Sequence, residues 1–319
     1  MSSTAGNTAL INAAIASAVY RSTQTILSLR LPSQSLKIVL SFIMKLSIAV
    51  IAAVTGSVLA RPSSLAERVQ SRADGSRRHR TQPIILVGTA AKDNAKFVAD
   101  VDNTTAHVDY SSNWSGAVLE TPSSGYFKSA TGRFTVPTPK HVGSGGTESS
   151  SAWVGIDGDT CGSGLLQAGI DFTVSSSGAV SYDAWYEWYP DYAYDFSNFA
   201  VKAGNVIQVD IVATSTTKGT VSLTNVSTGK KVSQTLSAPS GSVLCRQNAE
   251  WIVEDFESGG SLVALSNFGT VVFTQASASL STGGTDGLSG ATIIDLKQGS
   301  TVYTDVTINS GSQVTVQYI

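Results

Sequence analysis

Ala249 to Glu257 reads Ala-Glu-Trp-Ile-Val-Glu-Asp-Phe-Glu, four carboxylates in nine residues of a chain that is only 14% charged. Apolar residues separate the acids at the spacing of a strand. Side chains of an extended strand alternate between faces. Glu250, Ile252, Glu254 and Phe256 therefore share one face, and Trp251, Val253, Asp255 and Glu257 the other. Carboxylates set among large apolar groups cost stability unless they are bonded or used. The chemistry they offer is acid–base: a carboxylate takes a proton from water, and the resulting acid returns it to a leaving group.

Two more segments combine acids with aromatics. Trp153-Val154-Gly155-Ile156-Asp157-Gly158-Asp159-Thr160-Cys161 continues through Leu166-Gln167-Ala168-Gly169-Ile170-Asp171, and Tyr182-Asp183-Ala184-Trp185-Tyr186-Glu187-Trp188-Tyr189 follows. Alternation puts Gln167, Gly169 and Asp171 on one face. It puts Asp183, Trp185, Glu187 and Tyr189 on one face of the next segment. A face that mixes Gln, Asp, Glu and Trp describes a wet, aromatic-walled cleft suited to an extended polymer, peptide or glycan. The competing reading is a sandwich that buries its tryptophans and solvates acids at strand ends.

Other chemistries lack their residues. The three histidines are His79, His107 and His141. The first two lie in or beside a basic N-terminal stretch. His141 sits in a Gly/Ser/Pro loop with no acidic orienter nearby in sequence, so a Ser-His-Asp triad has no base. Neither His nor Cys shows zinc spacing, and no Gly-rich phosphate loop precedes a helix. No metal or other cofactor is expected, with Asp191 and Asp195 only a weak signal for calcium. The repeated Asp-Thr/Ser-Gly of pepsin-type enzymes is missing too.

Short strands position these groups. Gly116 to Leu119, Gly132 to Val136, Val206 to Ala213, Gly219 to Asn225, Leu262 to Leu265, Val271 to Gln275, Thr301 to Ile308 and Gln313 to Tyr318 alternate apolar residues with Ser and Thr. Ser/Gly-rich breaks such as Gly143 to Ser151 and Ser281 to Gly290 read as loops. The pattern predicts an all-β sandwich or barrel.

Charge divides the chain. Through Tyr110 it holds 12 Lys/Arg against 6 Asp/Glu; from Ser111 on it holds 9 against 17. An acidic, Lys-poor body argues against nucleic acid as a partner. Lys45, the apolar run Leu46 to Val54 and Val58-Leu59-Ala60 predict a signal peptide over 44–60 with cleavage after Ala60. The run is short for a membrane anchor. Residues 1–43 contain no acid; they read as an extension upstream of a true start at Met44, or as a long presequence. Residues 61–110 read as a basic propeptide, with Arg77-Arg78-His79-Arg80 at its heart. It either covers an anionic cleft until acid protonates the carboxylates, or is a linker with no inhibitory role. The body then spans 111–319. The two cysteines, Cys161 and Cys245, predict one disulfide in a secreted protein. Asn225, at a predicted hairpin turn, and Asn103 are the glycosylation candidates, whereas Asn113 adjoins Trp114 in an ordered motif.

Ser112-Asn113-Trp114-Ser115-Gly116-Ala117, Trp153 to Cys161, Leu166-Gln167, Tyr182 to Pro190, Leu244-Cys245-Arg246 and Ala249 to Glu257 occur in an order that resembles the glutamic peptidases, or eqolisins. These are secreted fungal acid endopeptidases insensitive to pepstatin. The resemblance covers most of residues 109–319. It implies a lectin-like β-sandwich of two seven-stranded antiparallel sheets. It implies a catalytic dyad of Gln167 and Glu254 and a disulfide between Cys161 and Cys245. Extra cysteines that some relatives carry after the Glu257 region are missing here.

On that match Glu254 is the general base that deprotonates water and later protonates the leaving nitrogen. Gln167 orients the water and donates its amide N–H to the oxyanion. Trp153, Asp157, Asp171, Asp183, Trp185 and Glu187 are expected to shape the cleft or bond the dyad, with Asn267 and Phe268 as weaker candidates. The implied partners are polypeptide substrates and the chain's own propeptide as inhibitor. After signal removal no membrane is involved, and the enzyme is expected to be an extracellular monomer. Two alternatives stay open: a glycoside hydrolase using Glu250/Glu254 or Glu187/Glu254, and a lectin-like carbohydrate-binding module.

Overall fold

The computed structural model describes residues 79–87 and 108–319. The residues described are all strand, turn and loop. The predicted signal peptide, most of the predicted propeptide and Asn103 lie outside them. Fourteen strands of four residues or more build two sheets. The first seven are β1 (Val108–Ser111), β2 (Trp114–Leu119), β3 (Phe127–Thr135), β4 (Thr147–Ile156), β5 (Leu165–Ser175), β6 (Val180–Tyr189) and β7 (Val206–Ala213). The others are β8 (Lys218–Asn225), β9 (Lys230–Ser237), β10 (Ala249–Glu254), β11 (Thr270–Leu280), β12 (Thr292–Gln298), β13 (Thr304–Ser310) and β14 (Gln313–Tyr318).

The front sheet runs β12-β2-β10-β4-β5-β6, with β1 beside β12. The back sheet runs β9-β8-β7-β3-β11-β14-β13. Each has seven principal strands, as expected, and two-residue strands extend both. Pairing is antiparallel except that β1 runs parallel to β12, and the short Ala264–Leu265 parallel to β4. The first strand starts at Val108, so the sandwich takes in three residues that the sequence reading gave to the propeptide.

Alternation decides what faces what. One face of the front sheet sends Val154, Ile170, Phe172, Trp251 and Val253 into the core shared with Phe134, Val209 and Phe273 of the back sheet. The Trp251 indole N–H crosses the layer to the Thr131 carbonyl, 2.8 Å away. The other face carries a second apolar cluster of Trp114, Val118, Trp153, Leu165, Trp185, Ala193, Ile252 and Ile294. Both faces of this sheet are therefore apolar, which explains why every residue of β10 is buried.

The structure corrects three readings. The acidic segment is not one strand. β10 stops at Glu254, and Glu257–Ser258 pairs instead with Ser261–Leu262 in a small hairpin. Asp255 N–H bonds to the Asn113 carbonyl at 2.8 Å, which turns the chain there. Second, the Ser run at 149–151 is strand, not loop: it lies in β4. Serine signals turns because its hydroxyl competes for backbone partners, but here the hydroxyls find cross-strand partners, Ser149 with Thr173 and Ser150 with Ser266. Third, Asn225 is fully buried, and its amide donates to the Ala200 carbonyl and to Asn205 Oδ1 at 3.3 and 2.9 Å. The fold leaves no room for a glycan on that nitrogen.

Cys161 and Cys245 form the disulfide, across a sequence separation of 84 and a Cα–Cα distance of 6.1 Å. It joins the turn after β4 to the approach to β10. Closing so long a loop is worth about 4–5 kcal/mol in the chain-entropy account. The Cys161→Ser/Cys245→Ser double variant should therefore lose several kcal/mol in urea denaturation. A loss under about 1 kcal/mol would refute the account.

Candidate active site

Four neighbouring strands converge on one patch of the outer face. Gln167 on β5 stands opposite Glu187 on β6 and opposite Gly155 on β4. Glu254, the last residue of β10, stands opposite Trp114 on β2 and Ser151 on β4. Trp153 of β4 lies between the two columns, opposite Ile252 and Gly169. Gly169 permits this packing, since a Cβ there would sit 2.5 Å from the Trp153 Cβ and 2.3 Å from the Ala152 carbonyl oxygen.

The Trp153 indole N–H donates to Glu254 Oε2 at 2.8 Å. Its ring meets Trp114 edge-on, with centroids 4.9 Å apart. Trp185 N–H donates to Ser151 Oγ at 3.0 Å. Two tryptophans thus form a fixed floor, each spending its N–H on a polar group in or beside the site. Gln167, Glu187 and Glu254 are fully buried.

What buries them is the chain's own residues 80–86. His79–Arg80 adds a strand to the Glu257 hairpin. From there the segment crosses the sheet from β6 towards β2. Gln167 Nε2 donates to the Thr81 hydroxyl, and that hydroxyl donates to Glu187 Oε2. Thr81 N–H also donates to Glu187, at 3.2 Å. Gln82 N–H donates to Glu254 Oε1 at 3.1 Å, and its side-chain amide to Glu257 Oε2 at 2.7 Å. The Gln82 carbonyl accepts the Trp114 indole N–H at 2.9 Å. Ile84 N–H reaches the Gly158 carbonyl at 3.0 Å, and Ile85 N–H reaches Asn113 Oδ1 at 2.9 Å.

The dyad candidates, Trp153, Trp185 and Glu187 therefore come together. Asp157, Asn267 and Phe268 have other partners. Asp157 adopts φ 71° and accepts the N–H groups of Arg246, Gln247 and Asn248 at 2.7, 2.8 and 3.1 Å. It is a brace for the loop that carries Cys245. Asp171 and Asp183 are paired across β5 and β6 on the same face, about 13 Å along from the Gln167–Glu187 pair but in the row of Glu254, through Ser151 of β4. Asn267 exchanges backbone bonds with Lys140, and Phe268 packs on Phe172 in the core. His141 does have an acid near it, Glu148 at 3.6 Å. That carboxylate also holds the Val142 and Gly143 N–H groups, so the contact pins a loop. Sequence reasoning missed Thr81, Gln82 and Glu257. The first two lie in a stretch without periodicity, and Glu257 follows the unforeseen end of β10.

Burial dominates the electrostatics. It raises Glu187 to about 8, against the lowering by the Thr81 bonds and the Arg80 charge. It raises Glu254 well above the usual range, countered by the Gln82 and Trp153 donors and reinforced by Glu187. Asp255 rises to about 7 for the same reason, despite the Gln298 amide at 2.6 Å. Glu250 stands in the row of Gln167, through Gly155 of β4; it is fully buried, and neither oxygen has a hydrogen-bond partner among the described residues. Burial, reinforced by the nearby Asp157 and Asp159, raises its carboxyl well above the usual carboxylate range.

Comparison with known proteins places this arrangement. The model of the peptidase A4 family matches residues 112–318. The chain belongs to the peptidase A4 family. It is similar to aspergillopepsin-2 of Aspergillus niger, with 43% identity over 281 residues, 82% of this chain and 95% of that one. It is 40% identical to scytalidopepsin B of Scytalidium lignicola over 215 residues, 65% of this chain and 78% of that one. The crystal structure of scytalido-glutamic peptidase with a transition state analog inhibitor superposes with a TM-score of 0.57 at 37% identity, covering 65% of this chain and 98% of that one. This peptidase A4 member is a glutamic-type endopeptidase with the eqolisin sandwich. The match decides against the glycoside hydrolase and lectin alternatives.

The raised carboxyls give this glutamic peptidase an unusual pH dependence. A carboxyl whose folded value lies above its ordinary value near 4.5 keeps a proton that the unfolded chain has already released. Rising pH then favours unfolding, until the folded group ionises too. Stability is full in acid and lost between about pH 4.5 and 8. Thermal melting should show Tm highest at about pH 3–4 and lower by about 5–10 °C at about pH 7. Glu250→Gln should shrink that difference. A Tm that rises over the same range would overturn the assignment.

Proposed function

We propose that the protein is a secreted acid endopeptidase that hydrolyses peptide bonds through Gln167 and Glu254, made with a signal peptide at 44–60 and an inhibitory propeptide at 61–110, and active as a monomer. The observation that carries this reading is the way the two side chains engage one extended peptide. Gln167 bonds to Thr81 and Glu254 to Gln82, consecutive residues of the same strand-like segment. A group that donates and a group that accepts, spaced one residue apart along a peptide, are the two requirements for polarising a carbonyl and delivering a water.

In the open cleft, Glu254 takes the proton of a water lying between it and the scissile carbon. The Trp153 N–H stabilises its ionised form. Gln167 donates its amide N–H to the carbonyl oxygen, and the bond strengthens as that oxygen gains charge. Glu254 then returns the proton to the departing nitrogen. Glu187, held beside Gln167, stays protonated and so adds no negative charge next to Glu254. A His base, with an ordinary value near 6.5, would be protonated and idle in acid. An amide works at any pH.

Replacing the two groups tests this. In the acid-processed protein, Gln167→Ala and Glu254→Gln should each lower casein hydrolysis at about pH 3 by 10²-fold or more. Retained proteolysis in either variant refutes the dyad.

Residues 80–86 act in this reading as the inhibitory core of the propeptide. The group at the Gln167 amide is the Thr81 hydroxyl, not a peptide carbonyl, so no bond is presented for attack. A synthetic peptide of residues 79–87 should inhibit the processed enzyme competitively. Thr81→Val in that peptide should weaken inhibition about tenfold or more, because Gln167 and Glu187 would both lose the hydroxyl that joins them in a buried site. Equal inhibition by the two peptides would contradict this assignment.

A further inference from the structure

We infer that Glu250 is a positioning residue for the reaction: as an uncharged acid it donates, across Gly155, to Gln167 Oε1 and so holds the amide with its N–H turned to the substrate. The inference rests on the dyad reading above and adds to it the group that orients Gln167.

The strands place the two side chains in one row. Glu250 of β10 stands opposite Gly155 of β4, and Gly155 opposite Gln167 of β5, all on the outer face. Gly155 has no side chain to keep them apart. A Cβ there would lie 2.5 Å from Glu250 Oε1, so the carboxyl already leans over the glycine toward β5. Trp153 Cζ3 and Leu165 Cδ1 lie 2.8 and 3.1 Å from the same point and confine it. From there to the Gln167 column is one strand spacing, about 5 Å, a gap that one bridging water fills.

Both partners need such a bond. Gln167 Oε1 and the two oxygens of Glu250 are buried and have no hydrogen-bond partner among the described residues. An amide oxygen only accepts, so it requires a donor. The indole N–H groups nearby are spent, Trp153 on Glu254 and Trp185 on Ser151. Glu187 flanks Gln167 on the β6 side, and its Oε2 lies 3.5 Å from Nε2, the nitrogen end of the amide. Glu250 is the acid on the other side. Burial, reinforced by Asp157 and Asp159, raises its carboxyl, so it carries the proton the bond requires. Asp157 cannot take that part, because it holds the N–H groups of Arg246, Gln247 and Asn248.

Catalysis depends on which way the amide points. Its two ends are alike in shape, and a half-turn about the last side-chain bond exchanges nitrogen for oxygen. In the turned form Gln167 would set its oxygen against the oxyanion and repel it. The Thr81 hydroxyl cannot fix the orientation during turnover, because substrate takes its place. A donor at Oε1 can. It also draws electrons toward that oxygen and makes the N–H a stronger donor to the developing charge. Glu250 touches no substrate in this role and acts through Gln167 alone.

Variants of Glu250 test this in the acid-processed protein at about pH 3, on a fluorogenic peptide that yields kcat and KM separately. Glu250→Gln keeps a donor of the same shape and should retain kcat to within about threefold. Glu250→Met fills the space without a donor and should lower kcat about tenfold, with KM changed by less than about twofold. In a Gln167→Ala background the difference between the two Glu250 variants should vanish. Equal kcat for Glu250→Gln and Glu250→Met, or a difference that persists without Gln167, overturns the positioning role. Full activity in Gln167→Ala itself would refute the dyad reading, and the inference with it. Should Glu250→Met not fold, the side-chain amide resonances of Gln167, identified by their loss in Gln167→Glu, decide. They should shift between the wild type and Glu250→Gln, and unchanged resonances overturn the bond.

Discussion

The site depends on register. β4, β5, β6 and β10 each send alternate residues to opposite faces of one sheet, and the two faces do unlike jobs. A slip of one residue in β5 would turn Gln167 and Gly169 into the core and bring Ala168 and Ile170 out. What prevents the slip is the cost of burying amide and carboxyl groups in the layer between the sheets. The inward residues Trp251, Val253, Ile170 and Phe172 fix the register, and the outward chemistry is carried along with it. The Trp251 bond to Thr131 ties the same strand to the back sheet.

The outer face meets a second constraint. Polar groups that must be held still need neighbours that do not move, and the second apolar cluster provides them. Trp153 belongs to both descriptions: its ring packs on Trp114, and its N–H holds Glu254. An aromatic with a polar edge suits this boundary because it orients a carboxylate without adding charge. The same logic explains Gly169, whose missing side chain makes room for Trp153.

Much of this was legible in the chain. Strict alternation in Leu165 to Phe172 and Tyr182 to Tyr189 gave the faces, so Gln167, Trp185 and Glu187 could be grouped before any coordinates. Glu254 could be separated from Asp255 by the same rule. Legibility ended where side chains defied their type. Asp157 lies in an acidic run, yet it satisfies three backbone N–H groups of a distant loop, a partner set that no local pattern encodes. Asn225 reads as an exposed sequon, but its amide is consumed by Ala200 and Asn205. Thr81 and Gln82 belong to a stretch with no period at all. Their roles come from docking on a surface made by residues far along the chain.

The proposed work in acid would tie these features together. At low pH a protein can bury carboxyls cheaply because they enter the core neutral, which would suit Glu250, whose oxygens have no hydrogen-bond partner among the described residues, and Asp255 beside a single amide. Catalysis in acid needs the opposite, one carboxyl that still ionises. Burial raises both Glu254 and Glu187, and donors to the ionised form oppose it at each, Gln82 and Trp153 at one and Thr81 at the other. Gln167 stands outside the titration altogether.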